Sequence, residues 1–304
     1  ERKKISFHFP RTNINTPLLF FFVVNTISVM FSVNIELSFI SFFEKVLKYL
    51  LLFFVFVEVM REREHFKTFL VCLLCAAAIV VADGLFQVYS GTDFLRGFPL
   101  YYDSVINVYS VTGSFKNPNS LGAWCIVVIP LCFTVSFFRL DTITFSMLLR
   151  VAAGIIGGLL IILLLKTDSR GAWLGLGAGS FILLAFFAVL LKSRVLIISM
   201  FCVVLLCAAT FMFLPDSVQT RVLSIFDYSQ HLNRFGLWKE AIAIAHDFPL
   251  WGSGINTYTI VAPDYAVETG GGWYPHNSFL HMAAEIGWAG LVVFYGLYKD
   301  CFSA

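Results

Sequence analysis

Three residues in this chain are candidates for chemistry, and each stands in a distinctive setting. His276 and Asn277 open an apolar run, HNSFLHMAAEIGWAG, that ends on Gly287 and Gly290. Arg170 lies in a short polar turn, KTDSRGAW, between two apolar runs. Arg234 stands in a long polar stretch, in NRFGLWKEAIAIAHDF. A neutral imidazole can take a proton from an attacking group. A guanidinium grips phosphate oxygens through forked hydrogen bonds.

Each residue also has a plainer reading. Arg170 could be an interfacial arginine that reaches to the lipid headgroups. Arg234 could be a solvated residue at a helix start. However, a cation there opposes the helix dipole and would be better placed against an anion. His276 could belong to a helix cap, although Asn277 or Ser278 is the better capping type. The positive field of a helix N-terminus disfavours imidazolium and would favour the neutral imidazole that can act as a base. His281 and Glu285 are four apart and share a helix face, so a structural hydrogen bond between them is expected. Gly287 and Gly290 suit close helix packing. Asp168 and Glu268 have no evident carboxylate partner, so no paired-carboxylate mechanism is indicated.

The elements that must position these residues are membrane spans. The chain has 304 residues, of which 59% are hydrophobic and 13% charged, with a mean hydropathy of +0.82. A soluble domain is about half apolar and about a quarter charged. Several apolar runs exceed about 18 residues, which indicates helical spans, not barrel strands. The expected architecture is an all-α integral membrane protein, residues 1–304 forming one polytopic domain. Eight transmembrane helices are expected near 17–35, 38–59, 67–88, 119–138, 146–166, 171–191, 194–214 and 278–298. A net charge of +2 gives no argument for nucleic acid. The chain begins on Glu1 and stops soon after the last span, as a fragment of a longer bundle would.

Lys and Arg favour a cytoplasmic N-terminus. Two extracytoplasmic loops follow, 89–118 and a large, partly helical 215–277. Arg170, Arg234 and His276 then fall on one face of the membrane. In the large loop, Phe235, Trp238, Ile242 and Ala245 recur at helical spacing, and Pro249 with the following glycines ends the helix. Such a helix could lie flat on the membrane. In the second span, Glu44 and Lys48 are four apart and can pair, or line a cavity. Cys72, Cys75, Cys125, Cys132, Cys202 and Cys207 lie in apolar runs and read as small core residues. The CLLC spacing at 72–75 has no second pair, and no metal site is expected.

At these residues the sequence resembles the O-antigen ligase and polymerase superfamily of bacterial envelope polysaccharide assembly. The family signature is His, then Asn, Ser or Gln, nine residues, and Gly-x-x-Gly. His276, Asn277, residues 278–286, Gly287 and Gly290 fit it. GSFKNPNSLGAWCIVVIP (113–130), SRGAWLGL (169–176) and NRFGLWKEAIAIAHDFPLWGSGINTY (233–258) resemble three further family stretches, so the likeness spans 110–298. The resemblance implies a GT-C-like membrane glycosyltransferase at the periplasmic face of the bacterial inner membrane. Its donor would be a glycan on undecaprenyl pyrophosphate, and its acceptor a lipid-core sugar or another repeat unit. It implies a metal-independent, inverting reaction with no cofactor. It assigns His276 as the catalytic base and Arg170 and Arg234 as pyrophosphate-binding residues.

A polysaccharide-lipid flippase is the competing class, and a non-catalytic assembly subunit is a third. A transporter would place its polar groups near the bilayer midplane, whereas the expected orientation gathers them at one face.

Overall fold

The computed structural model describes residues 10–103, 108–137, 144–190, 192, 219, 229–265 and 274–302. The chain forms two compact units, Glu62–Phe226 and a second made of Glu1–Arg61 with Asp227–Ala304.

The Glu62–Phe226 unit is a stack of apolar helices: α4 (Arg63–Ser90), α5 (Pro118–Phe137), α6 (Met147–Lys166) and α7 (Arg170–Leu190). Leu70, Leu74, Ala77 and Val81 of α4 recur at three and four residues and form one buried stripe. Facing residues of α5 and α6, including Leu121, Cys125, Val128, Cys132, Ala153, Leu160 and Leu163, complete the core. Arg150 of α6 donates to the carbonyls of Ser136 and Phe137, which the end of α5 leaves unpaired. Between α4 and α5 the loop forms a small antiparallel hairpin of β1 (Tyr101–Asp103) and β2 (Val108–Ser110). A single 3-10 turn, Gly113–Phe115, leads into α5.

The other unit is built on α10 (Ser278–Phe302). Against it lie α1 (Asn15–Met30), the polar-loop helix α8 (Ser229–Asp247) and the short α9 (Tyr258–Val261). A further helical run passes from α2 (Ile35–Ser41) through a π-helical segment (Phe42–Leu47) into α3 (Lys48–Val59).

Among the described residues, α4, α5, α6 and α10 are long and apolar enough to cross a membrane, and α1 and the Arg170–Phe186 stretch of α7 are shorter apolar helices. Each expected span falls on helix except 194–214, which lies outside the described residues. The second span differs in detail. Its π segment contains Glu44, and the wider turn there breaks the four-residue spacing that would stack Glu44 on Lys48. No ion pair joins those two among the described residues. Lys45 instead donates to Asn256 Oδ1 at 2.6 Å, and Lys48 lies over the ring of Tyr49. Cys125 and Cys132 are buried, as expected, but Cys72 and Cys75 occupy the exposed face of α4. The core stripe of α4 uses Leu70, Leu74 and Ala77, which turns both thiols away from it. Cys202 and Cys207 lie outside the described residues.

Candidate functional site

His276 sits just ahead of α10, exposed, in the left-handed backbone region at φ 49°. The helix needs no help from it. Asn277 Oδ1 accepts from the amides of Phe279 at 3.0 Å and Leu280 at 3.3 Å, which is the expected cap. The segment carrying His276 is tied to α8: Trp238 Nε1 donates to the carbonyl of Pro275 at 2.9 Å. Arg234 lies four residues before Trp238, one turn away on the same helix, and is exposed. The structure therefore brings the neighbourhoods of His276 and Arg234 together within one unit.

Two expectations for α8 need correction. The helix begins at Ser229, so Arg234 is in its second turn and not at its start. The dipole argument for an anion is correspondingly weaker there, because that field fades beyond the first turn. The buried face is Leu237, Glu240, Ala241, Ile244 and Ala245, whereas Phe235 and Ile242 are exposed. Packing against α10 selected the stripe with small residues, which lets the two helices approach. Phe235 and Ile242 are left outward, while Trp238 is half-buried beside Pro275.

Beneath His276 lies a compact aromatic and acidic layer. His281 packs edge-on against Tyr258 and Tyr274, with ring centroids 5.4 Å and 5.0 Å away. Its Nε2 is 3.1 Å from Glu285 Oε1, but the approach is too oblique for the expected hydrogen bond. Glu285 Oε1 accepts from the amide of Tyr258 at 3.2 Å. Burial, then the charges of Glu240 and Glu285, push the Tyr258 phenol up from its ordinary pKa. Burial and Glu285 do the same to Tyr274. Both phenols therefore stay neutral beside the carboxylates.

The glycine pair of the signature does more than ease packing. Gly287 has φ 72° and ψ −179°, so α10 is two helical segments meeting at a kink. A Cβ there would collide with the carbonyl of Leu250, and the positive φ favours glycine in any case. The kink frees backbone groups, and the Pro249–Gly254 loop takes them up. Ala284 O accepts from Ser253 N and Glu285 O from Gly254 N, each at 2.9 Å, while Trp288 N donates to Pro249 O at 2.9 Å. Ser28 Oγ of α1 also donates to Glu285 O, at 3.0 Å.

Arg170 belongs to the other unit, where it is the first residue of α7 and half-buried. The turn before it is gripped from several sides. Val111 N donates to Lys166 O at 2.9 Å, and Ser110 Oγ to Asp168 Oδ2 at 3.3 Å. Trp173 Nε1 donates to Leu164 O at 3.0 Å. Ser169 Oγ donates to Asn119 Oδ1 of α5 at 2.7 Å. A Cβ on Gly122 would come within 2.7 Å of the Ala172 Cβ, so the first turns of α5 and α7 touch.

Sequence reading passed over two polar residues that organise this region. Asp83 and Gln87 are fully buried in the last turns of α4. Asp83 Oδ1 accepts from the amides of Phe94 and Leu95, and its Oδ2 from Ser114. Gln87 Oε1 accepts from Thr112 and Gly113, and its Nε2 donates to Phe98 O and Thr112 Oγ1. The signal was available: a carboxylate and an amide four apart inside an apolar run share one face and need partners. Glu268 lies outside the described residues. Among those described, no three His, Cys, Asp or Glu side chains converge as metal ligands.

Long apolar helices joined by polar, ordered loops define a helical, multi-pass membrane protein. Residues 155–295 match the family model described as O-antigen ligase. The match covers the part of the chain that carries Arg170, Arg234 and His276 and supports the resemblance to the O-antigen ligase and polymerase superfamily, a family of enzymes. No curated protein matches significantly, and no solved structure does.

Proposed function

We propose that the protein transfers a glycan from an undecaprenyl-pyrophosphate carrier to an acceptor hydroxyl, at the extracytoplasmic face of the bacterial inner membrane. The observation that carries this reading is the Trp238–Pro275 hydrogen bond within the family-matched region. It ties the segment that carries His276 to the helix that bears Arg234.

His276 takes the proton of the attacking hydroxyl as the bond to the anomeric carbon forms. The glycosidic bond to the carrier breaks in the same step, which inverts that carbon, and the electron pair leaves on the lipid pyrophosphate. Arg234 and Arg170 stabilise the charge that grows there. Arg170 is included because its Ser-Arg-Gly turn is family-like and tightly held. The chemistry assigned to these three side chains requires no metal or organic cofactor. The acceptor is a lipid-core sugar or another repeat unit.

The test uses full-length protein in nanodiscs with an undecaprenyl-pyrophosphate glycan and a set of acceptors. His276→Ala should lower the transfer rate by about 100-fold or more at unchanged protein level. Arg170→Ala and Arg234→Ala should weaken donor binding. Full transfer by His276→Ala would remove the base assignment.

A further inference from the structure

We propose that Asn119 is a positioning residue for Arg170, acting through Ser169. The inference rests on the reading of Arg170 as a pyrophosphate contact and names what aims it.

Arg170 opens α7, so its backbone is only as fixed as the turn before it. Ser169 is the residue that joins the two, and it is buried. Its hydroxyl donates to Asn119 Oδ1 at 2.7 Å, a side-chain bond from a different helix fifty residues away in sequence. Asn119 is itself held. Its amide donates to Asn117 Oδ1 at 2.8 Å, and the carbonyl of Asn117 accepts from Ser120 and Leu121 at 3.1 and 3.2 Å. The close approach of Gly122 to Ala172 leaves little room for the turn to shift by sliding. Upstream, the Gly113–Phe115 turn hangs from Asp83 and Gln87. Hydrogen bonds therefore hold both the turn that precedes α5 and the first turn of α5 itself, and the second of these reaches the residue before Arg170. Asn119 is the link that touches the arginine turn, and its side chain is otherwise exposed. An exposed asparagine at that place contributes little to the core. Its bond to Ser169 instead fixes the direction in which α7 presents its first residue.

The experiment measures binding of undecaprenyl pyrophosphate, without glycan, to the full chain in nanodiscs. Asn119→Leu and Ser169→Ala each remove the bond and should weaken binding by about fivefold, the equivalent of one hydrogen bond. Together they should weaken it no further than either alone. Asn119→Asp keeps the acceptor oxygen and should restore binding. In an Arg170→Ala background the Asn119→Leu effect should vanish, and a structural role would not make it vanish. Ser169→Ala removes one hydroxyl and guards against the larger variant simply failing to fold. Normal binding by both single variants overturns the inference while Arg170→Ala still weakens binding. So does a fivefold loss that persists in the Arg170→Ala background. If Arg170→Ala itself binds normally, the pyrophosphate reading of Arg170 is what has failed.

Discussion

The two units anchor their candidate residues by opposite means. In the unit of His276 the anchors are backbone groups. Gly287 breaks α10, and the freed groups of Ala284, Glu285 and Trp288 bind the Pro249–Gly254 loop. Beside Arg170 the anchors are side chains. Asp83 and Gln87 stay on an unbroken helix and reach out to the amides of a loop. The same problem is solved twice: loop backbone must be paired where water is scarce. A kink supplies acceptors without a buried charge, but it can be built only from a residue that tolerates positive φ. A polar side chain leaves the helix intact, but its burial must be matched bond for bond.

The contrast predicts which site tolerates change. Gly287→Ala faces both an unfavourable φ and the Leu250 carbonyl. It should cost about 3 kcal/mol or more and show as lost folded yield or a lowered Tm in detergent. A normal Tm would mean the kink is not required. Asp83→Leu strands the amides of Phe94, Leu95 and Ser114 and should cost about 2 to 3 kcal/mol. Asp83→Asn keeps an acceptor and should lose less. Hydrogen exchange should quicken at Phe94, Leu95 and Ser114 in the Asp83 variants and at Ser253 and Gly254 in the Gly287 variant. Exchange that quickened at both sets in either variant would erase the distinction between them.

Much of this was legible in the sequence, for a physical reason. Apolar length places helices almost alone, so seven of the eight expected spans overlap described helix, and four of the described helices are long and apolar enough to cross a membrane. The Asn277 cap was legible because capping is local chemistry. What escaped depended on choices among competing partners. Both stripes of α8 have helical spacing, and only packing on α10 decides that Leu237, Ala241 and Ile244 go inside. Glu44 and Lys48 have a pairing spacing that a π segment cancels, and nothing local announces the π segment. Gly287 read as a packing glycine because the carbonyl of Leu250 that forbids a side chain comes from a loop 37 residues earlier.

Smaller changes sharpen the comparison further. Ser28→Ala removes one of two donors to the Glu285 carbonyl and leaves Gly254 N in place. A carbonyl that keeps one partner is not orphaned, so the cost should be about 1 kcal/mol by thermal unfolding. Gln87→Leu, by contrast, strands both Thr112 and Gly113 amides and should cost more than Ser28→Ala. Equal losses would show that the doubled donors at the kink act as one unit.

The smallest effect belongs at the edge of the α8 unit. Tyr265 donates to Asp247 Oδ2 at 2.7 Å. Burial, then that bond and the Asp247 charge, push its pKa up to about 12. A raised phenol pKa means that the folded state holds the proton more tightly than the unfolded chain. The contribution is therefore complete below the unfolded value near 10 and is lost as pH climbs toward about 12. Tyr265→Phe should lower stability by about 0.5 kcal/mol at neutral pH, as an exposed bond would. The difference between the two proteins should shrink as the pH rises through that window. A difference that stayed constant to the top of it would mean that the ring, and not the hydroxyl, is what Asp247 holds in place.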